Sequence, residues 1–432
     1  MIRDLTLDPY RSWALHLIRG FLRDHRLDQT LSKLEIEAPG LIDDQDDDDD
    51  GVLPAVFSGN NSRKPLLAIL EEYNMQTMQK QLEHFSVNDV DSSCDEELHS
   101  NLHDSDNAEA KGTRLYSPMH SGNILCVAST TLDAEWFDGS DGLIAAVLTG
   151  AADASVCITD MANDLLVARL EGIQSSPVLR IAVNPAEPSL IATTGMDGTA
   201  TLYNLATHSI VSSFKDHFKY VTNAEFSMDG SWLVTGSYDR TVNVYHKQDS
   251  NYAKRSTLSF KGAVESLCFL PDQESILVVG VRDDNYLHYI ALHETEAFGV
   301  EKCNINANGD DWVSFVPMCI QPSPSGKHLL VYTDASAGRL IVYQSHTSRI
   351  MTDLWGVETD ALGKFACCWH PEAKFVFASN LLQNNVDMLH ISSGSVFMRC
   401  IGHSSPVRAM CFDSTMNALI SCSFKEVMVW KF

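Results

Sequence analysis

The chain has 432 residues, 44% of them hydrophobic, and a net charge of −26 at pH 7. That length supports one large domain with a sizeable core plus an appendage, and the acidic balance disfavours direct binding to nucleic-acid phosphates. No run approaches the roughly 18 apolar residues of a membrane span, and the first residues lack the basic segment and apolar core of a secretory signal.

Residues 8–38 read as a helical hairpin. Asp8-Pro9 is a start signal, with Asp as N-cap and Pro at the first helical position. Leu17, Ile18, Phe21 and Leu22 recur at helical spacing, Leu27, Leu31 and Leu34 continue as a second stripe, and Pro39-Gly40 ends it. Helices this short do not bury their apolar faces alone, so they need each other and a second copy of the chain. The pattern resembles the LisH (lissencephaly-type homology) motif. That resemblance implies a helical homodimer, with Leu17, Ile18, Phe21, Leu22, Leu31 and Leu34 in the seam and Thr30 and Glu37 as its polar marks. Leu27 stands where the family usually has an aromatic, and Arg26 where it usually has glycine.

Residues 39–64 read as an acidic linker. Asp43 to Asp50 is broken only by Gln45, a run that is either solvated or a site for a basic partner. From Glu35 to Glu109 there are 20 acidic and 3 basic side chains, so 17 of the 26 excess negative charges lie there (20 − 3). Pro65 opens an amphipathic helix over 65–86, with Leu67, Leu70, Met78, Leu82 and Phe85 as its stripe. Residues 87–112 are polar and acidic, the composition of a disordered linker.

From Thr113 to Phe432 the texture changes to short apolar strands and turns. Asp153-Ala-Ser-Val156, Asp197-Gly-Thr-Ala200, Asp239-Arg-Thr-Val242, Asp284-Asn-Tyr-Leu287, Ala337-Gly-Arg-Leu340, Gln383-Asn-Asn-Val386 and Phe424-Lys-Glu-Val427 share one skeleton. Their first residues lie 44, 42, 45, 53, 46 and 41 positions apart. A period of roughly 40–45 residues built from short strands predicts a β-propeller, here with seven blades over 113–432. Innermost strands begin near Ile124, Val178, Val221, Val264, Phe315, Phe365 and Val407, and additional residues around Asp133–Asp141, His293–Asp311 and Ser345–Leu362 extend loops. The last unit has three strands, and the spare segment Thr113–Ser117 is placed to supply its fourth and close the ring. The fold class is therefore an all-β seven-bladed β-propeller with a small N-terminal α-helical dimerisation module. It resembles the WD-repeat family, whose blades carry a His–Ser/Thr–Asp–Trp hydrogen-bonded tetrad. On that resemblance His217, Ser237, Asp239 and His403 serve blade bonding, with Tyr245 where Trp is usual and Phe424 in place of the last unit's Asp.

Most of the 11 cysteines lie inside apolar strands with no CxxC pair, the pattern of buried thiols in a reducing compartment. No GxSxG, GxxxxGK[ST], GxGxxG or HExxH motif is present, no histidines stand at ligand spacing, and no cofactor is implied. Loops joining strands d to a and b to c share one propeller face. They include Lys219, Tyr220, Tyr238, Arg240, Trp312 and Phe424, residue types favoured in binding hot spots. The functional expectation is a non-catalytic dimeric scaffold, intracellular in cytoplasm or nucleus, that binds protein or peptide partners. One rival is an acidic escort for basic clients such as histones or ribosomal proteins. Another is a hydrolytic pocket near Asp310, Asp311 and His370.

Overall fold

The computed structural model describes residues 108–432 apart from 117–119, 140, 250, 272–274, 295–296, 307–308, 310–312, 336–337 and 358–364. The expected hairpin 8–38 with its dimerisation residues, the acidic run Asp43–Asp50, the helix 65–86, and Asp310, Asp311 and Trp312 lie outside the described residues.

Among the described residues the strands form seven sheets in chain order. Blade 1 spans 124–170, blade 2 178–214, blade 3 221–259, blade 4 264–304, blade 5 317–355, blade 6 367–401 and blade 7 409–431. Each runs antiparallel in the order a-b-c-d, and each strand a lies beside the strand a of the next blade, with blade 7 meeting blade 1. The innermost strands begin at Ile124, Val178, Val221, Val264, Pro317, Cys367 and Ala409, within two residues of the positions expected from the apolar pattern.

Burial falls from the middle of a blade to its rim. Strand b is buried at every position in Leu190–Gly195, Trp232–Ser237, His328–Thr333 and Phe375–Asn380, because neighbouring blades cover both of its faces. The rim strand Gly299–Asn304 is exposed at its first four residues. Cys126, Cys157, Cys268 and Cys422 are buried in strands, and no disulfide joins cysteines among the described residues.

Five of the b–c turns place a residue in the left-handed region at the same position. Ala154, Arg240 and Asn384 have φ of 64°, 72° and 55° there, and Gly198 and Gly338 occupy the same place. At Gly338 the requirement is steric as well, since a Cβ would lie 1.4 Å from the Val357 carbonyl oxygen. The extra residues in blade 1 lengthen its first hairpin, Ile124–Asp133 and Leu143–Ala151, around the short helix Glu135–Asp138. The main chain of that helix reaches blade 2, where His208 Nε2 lies 2.6 Å from the Trp136 carbonyl.

Thr113–Leu115 pairs antiparallel with Val427–Val429 and completes blade 7. Leu115 is buried against Ile124, Val147 and Ile420, so the closing strand also seals the seam between blades 7 and 1. One expectation is corrected. The last residues of the linker assigned to 87–112 are not structureless: Ala108–Lys111 adds a parallel fifth strand to blade 6, pairing Ala108 with Met398 and Lys111 with Ile401. The open edge of a rim strand offers unpaired backbone groups, and these satisfy a segment whose own side chains do not favour a strand.

If the borrowed strand holds the ring shut, Leu115→Ala should lower stability by about 2–5 kcal/mol, as for other buried leucines. Thermal unfolding of the full chain checks this, and a midpoint equal to the parent's would show that the ring does not rely on the clasp.

Candidate partner-binding face

Blade 3 shows how the face is built. His217 sits in the d–a turn before strand a (Val221–Phe226). Its Nδ1 lies 3.0 Å from Asp239 Oδ2, and its Nε2 lies 2.8 Å from Thr235 Oγ1. Asp239 also accepts the Thr241 hydroxyl at 2.6 Å and the Phe218 backbone N–H at 3.2 Å. Two loops are thereby locked together, and the residues beside the lock are presented to solvent. Ser237 plays a different part from the expected one. Its hydroxyl donates to the Tyr220 carbonyl at 3.0 Å, while Thr235 supplies the hydroxyl next to the imidazole. Tyr245 does not complete a tetrad either, because its hydroxyl donates to Asp216 at 2.9 Å.

Other blades meet the same demand with different letters. In blade 7, His403 Nε2 lies 2.6 Å from Ser421 Oγ. The carboxylate there is Glu426, not a residue at position 424; it accepts the Ser404 backbone N–H at 2.8 Å and pairs with Arg114 of the closing strand at 3.1 Å. Blade 1 has His120, with Ser155 and Thr149 hydroxyls each at 2.8 Å. Its lengthened hairpin puts 33 positions between His120 and Asp153, against 22 between His217 and Asp239, which hides it from a spacing search. Blade 2 uses Gln174, whose amide donates to Thr193 Oγ1 at 3.0 Å and accepts from Thr199 at 2.8 Å.

On this frame Tyr220 and Tyr238 come together, on the loops that also carry Lys219 and Arg240. The Tyr220 and Tyr238 rings pack against each other at a tilt of 37°, with centroids 4.8 Å apart. Arg282 of blade 4 extends the pair, donating to the Tyr238 hydroxyl at 3.2 Å with its guanidinium 5.8 Å from the ring centroid. Its other side is held by Glu265 at 2.5 Å. Lys219 and Arg240 are exposed beside the rings, and Phe218 is 79% exposed next to them. Phe218 and Arg282 were missed in the sequence; the aromatic–Lys–aromatic run at 218–220 was the available signal. Phe424 does not join this patch. It lies in blade 7, across the ring from blade 3, with Arg408 4.7 Å from its ring centroid, while neighbouring Lys425 donates to the Ser121 carbonyl at 3.2 Å.

His370 is buried among aromatic rings, 5.2 Å from Phe412 and 6.0 Å from Phe375. Its Nδ1 accepts the Glu372 backbone N–H at 3.2 Å, the geometry of a turn residue in a core. Among the described residues no group of three His, Cys, Asp or Glu is arranged to hold a metal, and no helix is long and apolar enough to cross a membrane.

Residues 208–246 and 394–431 match the family model of the WD domain, G-beta repeat. These stretches contain the sequences around His217 and His403. The transcriptional corepressor LEUNIG_HOMOLOG of Arabidopsis thaliana is 26% identical over 245 residues, 56% of this chain and 28% of that protein. Protein hir1 of Schizosaccharomyces pombe is 21% identical over 275 residues, 55% of this chain and 28% of its own length. Pre-mRNA-processing factor 19 homolog 2 of Arabidopsis thaliana is 38% identical over 71 residues, 16% of this chain and 14% of that protein. The chain thus spans less than a third of the length of each of these three relatives.

The buried imidazoles make a pH prediction. Burial lowers His403 to about 4 against the pull of Glu426. Burial also lowers His120 and His217, against Asp153 and Asp239. An unfolded histidine titrates near 6.5. Between about pH 6.5 and 4 the unfolded chain therefore holds more protons, so stability is full above that window and falls as pH drops through it. The carboxylates act lower. Burial works against the ionised Glu426, but the Ser404 N–H and Arg114 outweigh it and hold Glu426 below its ordinary 4.5. Its stabilisation is lost only as pH falls below about 4.5. Thermal midpoints should decline from pH 7 to 4.5, and His403→Gln should flatten the decline. An unchanged slope in that variant would rule out this imidazole as a source. Two stretches that match the WD domain, G-beta repeat thus lie within described residues that fold as a seven-bladed propeller.

Proposed function

We infer that the protein is a non-catalytic scaffold that dimerises through residues 8–38 and recruits partner proteins through the blade 3 and 4 loops. The observation that carries the reading is the cluster of Tyr220, Tyr238 and Arg282, flanked by exposed Phe218, Lys219 and Arg240. Aromatic side chains give large contact area at small entropic cost, and aromatic and arginine side chains dominate binding energy where they are pre-positioned. Here the hydrogen bonds of Asp239, Ser237 and Glu265 pre-position them. The relatives agree in kind: one is named a corepressor and another a pre-mRNA-processing factor. By analogy this chain works inside a multiprotein assembly, in nucleus or cytoplasm.

The LisH-like pattern of Leu17, Ile18, Phe21, Leu22, Leu27, Leu31 and Leu34 makes the face bivalent. Two linked faces raise avidity through effective concentration without any new contact. In this arrangement 39–64 and the linker before the propeller are spacers, and 65–86 is a further amphipathic helix. A second reading rests on Asp43–Asp50, an acidic run suited to a basic client. It predicts binding that weakens steeply with salt and with deletion of 43–50.

Sedimentation of the full chain tests the first reading. It should run as a dimer at micromolar concentration, and Leu17→Asp with Phe21→Asp should convert it to monomer while the propeller's thermal transition stays in place. A monomeric parent chain would refute the dimeric scaffold.

A further inference from the structure

At one position of strand c the blades divide into those with a ring and those without, and in blade 4 a cavity opens there. Six residues after the first residue of each repeat skeleton, strand c carries Tyr203 in blade 2, Tyr245 in blade 3, Tyr343 in blade 5 and Trp430 in blade 7, all buried rings, while blades 1, 4 and 6 carry Thr159, Ile290 and Leu389. In blade 3 this ring packs against Phe214 from the rim strand of blade 2, with centroids 4.3 Å apart. The corresponding pair in blade 4 is Ile290 and, from the rim strand of blade 3, Leu258. Neither is aromatic, and both line a cavity of about 520 Å³. A second difference coincides with it. The c–d ladder carries a register shift in blades 1, 2, 3, 5 and 6, but in blade 4 it runs unbroken from Tyr286 paired with Asn304 to Ala291 paired with Gly299.

The chemistry of the cavity is two-sided. Leu258, Phe260, Ile290 and Val300 give it apolar walls, and Val300 is 53% exposed at its edge. Lys261 and Lys302, both exposed, stand on the polar side with Asp284, Asn285 and His288. Asp284 is already engaged by His288 at 2.9 Å, and neither lysine makes an ion pair within 4.0 Å among the described residues. Two ammonium groups facing one carboxylate leave a local positive excess on a chain of net charge −26. Volume and lining fall within the range of sites that take a ring-sized group, roughly 300–1,000 Å³.

We propose that this inter-blade cavity is a second recognition site, separate from the Tyr220–Tyr238 face. Its occupant is an extended acidic peptide of a partner protein. One aromatic side chain of the peptide takes the place that Tyr245 fills in blade 3, and flanking carboxylates pair with Lys261 and Lys302.

Fluorescence anisotropy of the full chain with a fluorescein-labelled peptide, one Trp flanked on each side by two Asp, tests this. Binding should be saturable. It should weaken about tenfold or more when the Trp is replaced by Ala, and equally with Lys261→Glu plus Lys302→Glu. Ile290→Tyr places in blade 4 the residue that the neighbouring blades 3 and 5 carry, so it should abolish peptide binding without lowering the thermal midpoint. Should that variant fail to fold, the paired lysine variant on the surface decides the matter. The proposal is overturned by the absence of saturable binding up to about 1 mM, or by unchanged affinity in either folded variant. Equal binding of a peptide with Lys in place of Asp, or full displacement by indole-3-acetate at the peptide's own affinity, would overturn it too; the latter would make the site one for a small molecule.

Discussion

The ring is held by eight residues that come before it in the chain. Strand c of blade 7, Val427–Lys431, is buried except at its last position, so its outer edge cannot be left to water without unsatisfied backbone groups. Thr113–Leu115 supplies the partner. The same ribbon first pairs with blade 6 through Ala108–Lys111, and just after the closing strand the Tyr116 N–H donates to Asp164 of blade 1 at 3.0 Å. Three successive blades are therefore stitched by one stretch of chain. Gly112 allows the crossing, since a Cβ there would lie 2.7 Å from the Trp430 indole. The loop closed this way is some 310 residues long, yet closure entropy grows only with the logarithm of length, so one short ladder with a buried leucine suffices.

A closed ring also sets what each blade must do. Loops at the ends of neighbouring strands carry backbone and side-chain polar groups into contact with a core, and each needs a partner. Blades 1, 2, 3 and 7 solve this with interchangeable chemistry. An imidazole bridges hydroxyl and carboxylate in blade 3, Gln174 replaces it in blade 2, and Glu426 replaces the aspartate in blade 7. The demand is for a donor and an acceptor at fixed positions, which several residue types meet. This is why the repeat matches a family model in only two stretches while the backbone repeats seven times.

The same reasoning separates what could be read from the residues alone from what could not. Strand period and turn spacing were legible, because buried strands need apolar runs and most b–c turns place one residue in the left-handed region. The missing fourth strand of blade 7 was legible as arithmetic. Bond partners were less so: Ser237 and Thr235 both sit on one strand two positions apart, on the same face, and only the geometry tells which hydroxyl meets His217. Ala108–Lys111 was illegible because its pairing is dictated by an open edge far along the chain. Of the face residues, Tyr220 and Tyr238 gathered because two loops of one blade carry them, along with Lys219 and Arg240. Phe424 did not, because strand order places blade 7 opposite.

Departures from the repeat then carry more information than agreement with it. Blades 1, 4 and 6 carry no ring at the strand c position, and blade 4, set between two ring-bearing blades, forgoes dispersion contacts that its neighbours keep. Natural sequences tolerate such local inconsistency chiefly where another requirement acts. In blade 3 the aromatic position is filled, and the exposed chemistry lies at the loops. In blade 4 the aromatic is absent, the rim ladder is regular, and two lysines stand beside the gap. The loop face and the inter-blade cavity thus occupy adjacent blades but arise differently. One is added outside a satisfied framework, and the other is left inside an unsatisfied one.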